Sequence, residues 1–261
     1  MKALRLVLLL SLFCGPAAAV MHKEVIDYKD GDVTLRGYLY WDDAFAGKRP
    51  GVMVVHEWWG LNDFARLRAE MLAESGYVAF AADMYGEARM TRKPEEAKAW
   101  RDSLVADAAA WQRRAALGLQ QLAAHDNVDA ARLAAIGYSL GGATVMQLAY
   151  TGAELRGAVS FYGPLTRAQS DHGKQVKARV LVAHGHDDPF VSEDEMLAFR
   201  KSLSAAGIDW EMNIYAGATH GFANPYADGF GMEGLAYQEA ADRRSWLRTL
   251  GFLREIFDEE I

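Results

Sequence analysis

The chain has 261 residues and 51% of them are hydrophobic, which suits one large α/β domain or two small ones. Its formal net charge is −7 and it has no basic run, which argues against nucleic acid and anionic lipid as main partners. After the N-terminal stretch, no segment is long and apolar enough to cross a bilayer.

The N-terminal residues have the three parts of a secretory signal peptide. Residues 1–5 form a basic start, residues 6–13 form an apolar core too short to span a membrane, and residues 16–19 supply small side chains for cleavage after Ala19. We therefore expect an exported protein, periplasmic or secreted, whose mature part, residues 20–261, is a single domain. A buried N-terminal helix is the alternative interpretation.

Cleavage after Ala19 would change both the charge and the cysteine content. Loss of Lys2 and Arg5 changes the formal net charge from −7 to −9. Loss of Cys14 removes the one cysteine of the chain. The mature protein would then have neither a disulfide nor a thiol nucleophile, and its stability would come from its core.

Strand-like runs alternate with helical runs along the rest of the chain. This alternation predicts βαβ units, and hence a mainly parallel sheet with helices on both faces. The predicted strands are residues 25–28, 34–41, 51–55, 77–81, 133–136, 158–162, 180–183 and 210–215. The first two are expected to pair around the turn at Asp30-Gly31.

Besides a helical stretch that begins at Gly142, four helices are predicted between these strands and after them. They are residues 63–75, one long helix 94–122, residues 192–206 with a Ser192/Glu195 capping box, and residues 236–257. The long helix has apolar residues every three or four positions, which predicts one buried stripe that includes Trp100 and Trp111. The last helix is expected to bury Leu247, Leu250, Leu253 and Phe257.

The most informative motif is the G-x-S-x-G pentapeptide Gly137-Tyr138-Ser139-Leu140-Gly141. A short apolar strand precedes it and a helical stretch follows it, the setting in which this motif forms a nucleophile elbow. Such an elbow holds its serine in a strained turn that lifts the hydroxyl above the sheet. An ordinary Gly/Ser turn is the alternative.

A serine nucleophile needs a base, and the base needs an acid that orients it. Candidates for both follow later strands. The segment 184–191 reads HGHDDPFV and contains Asp187 and Asp188, whereas the segment 217–222 reads GATHGF and contains His220. Since functional groups of open α/β sheets gather at the carboxyl ends of strands, Ser139 can meet them there.

The order Ser139, Asp188, His220, with H-G-x-x-D-x-x-V and T-H-G-F around the last two, resembles an α/β hydrolase. The segments 55–62 (VHEWWGLN) and 82–86 (ADMYG) narrow the resemblance to the dienelactone hydrolase family, over roughly residues 33–257. The resemblance implies an α/β-hydrolase fold, a mainly parallel twisted sheet, and a serine hydrolase for a small-molecule ester or lactone.

The resemblance also implies roles for individual residues. It favours Asp188 over Asp187 as the acid, because Asp188 precedes the Phe190-Val191 pair by two residues. The backbone N–H groups of Leu140 and Trp58 are the implied oxyanion donors.

Three further residues, Glu57, Trp59 and Tyr85, are assigned to the substrate pocket together with Trp58. For the aromatic members of this group, core packing is the open alternative. The family glutamate that matches Glu57 interacts with a cysteine nucleophile, so its role beside a serine is left open.

Two departures bear on the substrate. Founding members of the family use cysteine where this chain has Ser139. Their substrate-binding arginine follows the histidine in an H-S-F-x-R pattern, whereas residues 220–224 here read HGFAN, and Arg89 does not align with the family's other arginine. Uncharged or aromatic esters therefore become as plausible as a small anionic lactone.

The sequence predicts no cofactor and no metal site. The segment 56–60 starts like a zinc-protease helix but ends in Gly60 where a second histidine is required. A catalytic aspartate loop explains residues 184–188 with fewer assumptions than a metal site does. Two other functions stay open, an acyl-peptide or amide hydrolase and a catalytically silent binding protein, and the oligomeric state is not predicted.

Overall fold

The computed structural model describes residues 20–169 and 171–258, so the expected signal peptide, residues 1–19, lies outside the described residues. The eight strands within these ranges are β1 (Met21–Asp30), β2 (Val33–Asp42), β3 (Arg49–Val55), β4 (Val78–Ala82), β5 (Val128–Tyr138), β6 (Gly157–Phe161), β7 (Arg179–Gly185) and β8 (Trp210–Tyr215). The six α-helices there are α1 (Asp63–Glu74), α2 (Pro94–Ala106), α3 (Ala108–Ala123), α4 (Leu140–Tyr150), α5 (Glu193–Ala205) and α6 (Glu239–Asp258).

All eight strands join one sheet in the order β1-β2-β4-β3-β5-β6-β7-β8. The first two pair antiparallel across a turn at Gly31 and Asp32, β2 pairs antiparallel with β4, and the other neighbours are parallel. The predicted mainly parallel sheet is thus confirmed, and its parallel strands place their carboxyl ends along one edge.

Helices cover both faces of the sheet, as the alternating sequence predicts. Side chains of β3 alternate between the two sides: Val52 and Val54 pack in the cluster with α1 and α6, whereas Met53 and Val55 pack in the cluster with α3 and α4. Burial on both faces explains why β3 reads as a continuous apolar run.

The prediction of one long helix over residues 94–122 is wrong. The structure has two helices there, α2 and α3, which meet at Asp107. Asp107 has φ −110° and ψ 85°, and its side chain accepts a hydrogen bond from the Ala110 N–H. A short acidic side chain competes for backbone donors in this way and begins a new helix instead of continuing the old one. Both halves of the apolar stripe still contain buried residues, among them Leu104 and Trp111.

One residue of the last helix was also placed wrongly by the sequence pattern. Leu253 and Phe257 are buried, whereas Leu247 is 59% exposed. Leu247 precedes Leu253 by six positions, which puts it about 120° away around a helix with 3.6 residues per turn. Among the described helices, α6 is the longest, and none of them is apolar over a length that could cross a membrane.

We predict that Asp107→Ala lowers the free energy of unfolding by about 1 kcal/mol, because the first turn of α3 loses its capping acceptor. Asp107→Asn is the matched control, since its side-chain oxygen can accept the same hydrogen bond. Urea unfolding of the three proteins measures the difference. Equal stability of the alanine and asparagine variants would contradict the capping role.

Candidate active site

Ser139 lies between the end of β5 and the start of α4, in a backbone conformation that few serines adopt. Its φ is 51° and its ψ is −115°, so it is one of four described residues other than glycine with a positive φ. Its backbone N–H donates to the Phe161 carbonyl at 2.9 Å, which fixes the turn against β6. The strained elbow predicted from the motif is therefore present.

The two glycines of the motif permit a close approach of backbone to backbone. A Cβ on Gly137 would lie 1.9 Å from the Gly141 carbonyl oxygen. A Cβ on Gly141 would lie 2.2 Å from the Val55 carbonyl oxygen. Any side chain at either position would push α4 away from the sheet, so the elbow needs glycine at both.

The structure brings Ser139, His220 and Asp188 into one chain of hydrogen bonds. The Ser139 Oγ is 2.9 Å from the His220 Nε2, and the His220 Nδ1 is 2.8 Å from the Asp188 Oδ2. Because a carboxylate can only accept, Nδ1 carries the ring proton and Nε2 is free to accept from the serine hydroxyl. This arrangement can transfer a proton away from Ser139.

Asp188 and its neighbour Asp187 lie in different surroundings. The Asp188 side chain is buried, and its Oδ1 accepts a hydrogen bond from the Phe190 N–H at 2.9 Å. The Asp187 side chain is 53% exposed and lies near His186. Of the two, only Asp188 contacts His220.

A cleft of about 290 Å³ opens beside Ser139 and His220. Six apolar residues line it, and Arg101 on α2 is the permanently charged residue in its described lining. The apolar residues are Trp58, Leu140, Pro164, Phe190, Met232 and Leu235. Phe190 also packs edge-on against the His220 ring, with centroids 5.1 Å apart.

Of the three aromatic pocket candidates, Trp58 alone borders this cleft. Trp59 is 1% exposed and stacks on Phe230 at 4.1 Å. Tyr85 is 3% exposed, and its hydroxyl donates to the Trp58 carbonyl at 3.1 Å. The assignment of Trp59 and Tyr85 to the wall of this cleft is thus corrected. Trp59 packs in the core behind it, and the buried Tyr85 borders a separate cavity that Arg89 and Trp100 also line.

Known proteins resemble this chain over most of its length. The model of the dienelactone hydrolase family matches residues 35–257. The chain belongs to the dienelactone hydrolase family. It is similar to the solved structure of a dienelactone hydrolase-like promiscuous phosphotriesterase from metagenomic libraries, with 38% identity and a TM-score of 0.87 over 91% of this chain and 99% of that one.

The chain is also similar to curated proteins, among them putative carboxymethylenebutenolidases. The protein from Salmonella typhimurium is 27% identical over 90% of this chain and 93% of its own length. The protein from Aquifex aeolicus is 26% identical over 77% of this chain and 87% of its own length. Together with the family match, these similarities support the interpretation that this protein hydrolyses esters or lactones.

Glu57 is buried beside the cleft, next to Trp58 in the chain, and is absent from the described cleft lining. It is 2% exposed, and its two oxygens accept hydrogen bonds from the Tyr162 hydroxyl at 3.1 Å and the Asn224 amide at 2.7 Å. Burial raises the pKa of Glu57 to about 7, although charge on His220 and these hydrogen bonds partly offset the effect.

Asn224 stands where the family pattern has its substrate-binding arginine, four residues after His220. In this structure its amide is directed to Glu57. The cleft therefore lacks a cation at that position, and Glu57 keeps a neutral partner.

The residues that carry the two implied oxyanion donors border the same cleft as Ser139. Leu140 and Trp58 line the cleft, and in residues 20–169 and 171–258 neither backbone N–H has a hydrogen-bond acceptor. Leu140 is the first residue of α4, where an N–H has no partner within the helix. Both donors are free to bind a developing negative charge.

Several residues of the site were missed by the sequence reasoning. Tyr162 directly follows β6, so the rule that functional groups follow strand ends could have found it. Asn224 has no signal of its own, because the family pattern marks its position by an arginine. Arg101, Met232 and Leu235 have no local signal, since a helix and a loop distant in sequence bring them to the cleft.

We predict that Glu57→Gln stabilises the protein more at pH 8 than at pH 5. The pKa of Glu57 is about 7 when folded against an ordinary 4.5, so its contribution to stability is complete below pH 4.5 and is lost as the pH rises through 7. Glutamine does not ionise, so the variant avoids this loss of folding stability, which is at most on the order of 3 kcal/mol.

Urea unfolding at the two pH values measures this effect. Glu74→Gln, at an exposed position of α1, is the matched control and should show the same difference from wild type at both pH values. A Glu57→Gln effect that does not change with pH would contradict the raised pKa.

Proposed function

We propose that the protein is a serine hydrolase that cleaves a carboxylic ester or lactone through an acyl-enzyme on Ser139. The observation that carries this proposal is the hydrogen-bond chain from the Ser139 Oγ through His220 to Asp188. A serine hydroxyl is a poor nucleophile at neutral pH, and a neutral imidazole oriented by a buried carboxylate is the arrangement that activates it.

In the proposed first half of the reaction, the His220 Nε2 takes the Ser139 proton while Oγ attacks the substrate carbonyl. The carbonyl oxygen becomes an oxyanion and accepts hydrogen bonds from the Leu140 and Trp58 N–H groups, each worth on the order of 3–4 kcal/mol. When the tetrahedral intermediate collapses, the bond to the leaving oxygen breaks and His220 protonates the alcohol.

In the proposed second half, water replaces the alcohol. His220 takes a proton from the water, whose oxygen attacks the acyl carbon. When this second intermediate collapses, the bond from the acyl carbon to the Ser139 Oγ breaks, His220 returns the proton to Oγ, and the acid leaves. With a lactone, the alcohol formed in the first half stays attached to the acyl group and leaves with the acid.

The lining of the cleft supports an uncharged ester as the substrate. Six of its residues are apolar, Asn224 replaces the expected arginine and binds Glu57, and Arg101 is already paired with Asp102 through its Nε at 2.9 Å. A phosphotriester is a second compound to test, because the relative with 38% identity is a promiscuous phosphotriesterase. The fastest turnover of an aminoacyl amide, by kcat/KM, would favour the amide hydrolase instead.

We predict that a fluorophosphonate probe labels the wild-type protein and does not label Ser139→Ala, because the probe phosphonylates an activated serine. Intact-protein mass spectrometry measures the adduct. Ser103→Ala, an exposed serine on α2, is the matched control and should label like wild type. A folded wild-type protein that stays unlabelled would make the proposed function wrong and favour the silent binding protein.

We predict that Asp188→Asn lowers kcat by about 10⁴-fold with the fold intact, because an amide no longer fixes the imidazole tautomer that can accept the serine proton. Hydrolysis of p-nitrophenyl esters measures the rate, and circular dichroism checks the fold. Asp187→Asn is the matched control next to it and should keep nearly full activity. Equal losses in the two variants would reverse the choice of acid.

A further inference from the structure

The carbonyl of Glu57 is held by two hydrogen-bond donors. The His56 Nδ1 lies 2.5 Å from the Glu57 oxygen, and the Gly60 N–H donates to the same oxygen at 3.2 Å. The second bond closes the turn from Glu57 to Gly60 at the end of β3. Gly60 itself has φ 88°, and a Cβ on it would lie 2.1 Å from the Arg89 carbonyl oxygen, so this turn has little freedom to move.

The hydrogen bonds of His56 determine which ring nitrogen carries its proton. The Met84 backbone N–H can only donate, and it lies 3.2 Å from the His56 Nε2. Nε2 is therefore the acceptor, and Nδ1 carries the proton that is donated to the Glu57 carbonyl. Burial lowers the pKa of His56, which keeps the ring in this neutral form.

The ring is fully enclosed and has no route to a substrate. His56 is 0% exposed, is absent from the described lining of the cleft, and packs against Tyr85 with ring centroids 5.0 Å apart. Both of its nitrogens are occupied by backbone groups. The mechanism proposed above uses neither of them, so the ring acts on the site through the backbone.

The peptide bond between Glu57 and Trp58 transmits that effect. A peptide unit is planar, and in the trans form its C=O and N–H point in opposite directions. The described chain has no cis peptide bond, so fixing the Glu57 carbonyl also fixes the direction of the Trp58 N–H. This N–H has no acceptor in the described ranges, and Trp58 lines the cleft beside Ser139.

We infer that His56 is a positioning residue that aims the Trp58 N–H at the substrate oxyanion. The inference rests on the proposed function. The Gly141 backbone supports it, because a Cβ there would lie 2.2 Å from the Val55 carbonyl and 2.8 Å from that of His56. The elbow and the Trp58 turn are thus packed directly on each other, and a small rotation of one peptide plane would separate the two donors.

Three variants of His56 test this role. His56→Asn can place an amide donor near the position of Nδ1, His56→Gln extends its amide toward the position of Nε2, and His56→Leu has no donor. Losing one oxyanion donor costs about 10²–10³ in kcat, so a misdirected one should cost His56→Leu and His56→Gln about 10- to 100-fold, with little change in KM. His56→Asn should recover most of the rate.

A thionoester substrate distinguishes a misaligned oxyanion hole from a general loss of structure. The quantity measured is the rate with the oxygen ester relative to the rate with its thiono analogue. Sulfur accepts hydrogen bonds weakly, so an aligned oxyanion hole favours the oxygen ester over its thiono analogue. We expect this preference in wild type and His56→Asn, and a reduced preference in His56→Gln. His125→Leu, which removes a half-buried histidine that packs on Trp41 away from the cleft, should leave it unchanged.

The outcomes separate the inference from the proposed function. A wild type that neither labels nor hydrolyses an ester contradicts the proposed function. An active wild type whose asparagine and glutamine variants have the same kcat and the same oxygen-to-sulfur preference overturns the inference and leaves the function standing. If His56→Leu does not fold, the comparison of the asparagine and glutamine variants decides.

Discussion

The close backbone approach between the start of α4 and the end of β3 is the constraint on which the rest of the site depends. Gly141 lies so near the Val55 carbonyl that no side chain fits between them. This contact fixes where α4 begins, and therefore where Ser139 and the free N–H of Leu140 lie. It also places the turn that contains Trp58 beside the elbow, so two separate segments of the chain contribute donors to one small volume.

Buried polar groups hold in place the chain segment that carries the Trp58 donor, and they do so largely without ion pairs. Glu57 is bound by a phenol and an amide, and His56 is bound by two backbone groups. Hydrogen bonds of this kind are directional, which suits a site whose donors must not move when charge develops. Their cost is the burial of an acid whose pKa rises to about 7.

The sequence was sufficient for the sheet, the elbow and the three residues that meet at Ser139. Periodicity and strand-end motifs are local, and parallel strands bring their carboxyl ends to one edge whatever the loops do. The pattern failed where a single residue overrode periodicity, as Asp107 does by capping α3. It also failed for Trp59 and Tyr85, because an aromatic residue beside a motif has the same local signal whether it faces a cleft or the core.

The break at Asp107 also bears on how the substrate range of this protein can change. Helix α2, which borders the cleft through Arg101, buries only Ala97 and Leu104, whereas α3 buries five residues that begin with Trp111. Since the two helices are separate, α2 can accept new side chains or a new tilt while α3 keeps the core intact. Evolution and protein engineering alike can diversify the mouth of the cleft on α2 at a far smaller cost to folding than on β3 or the elbow.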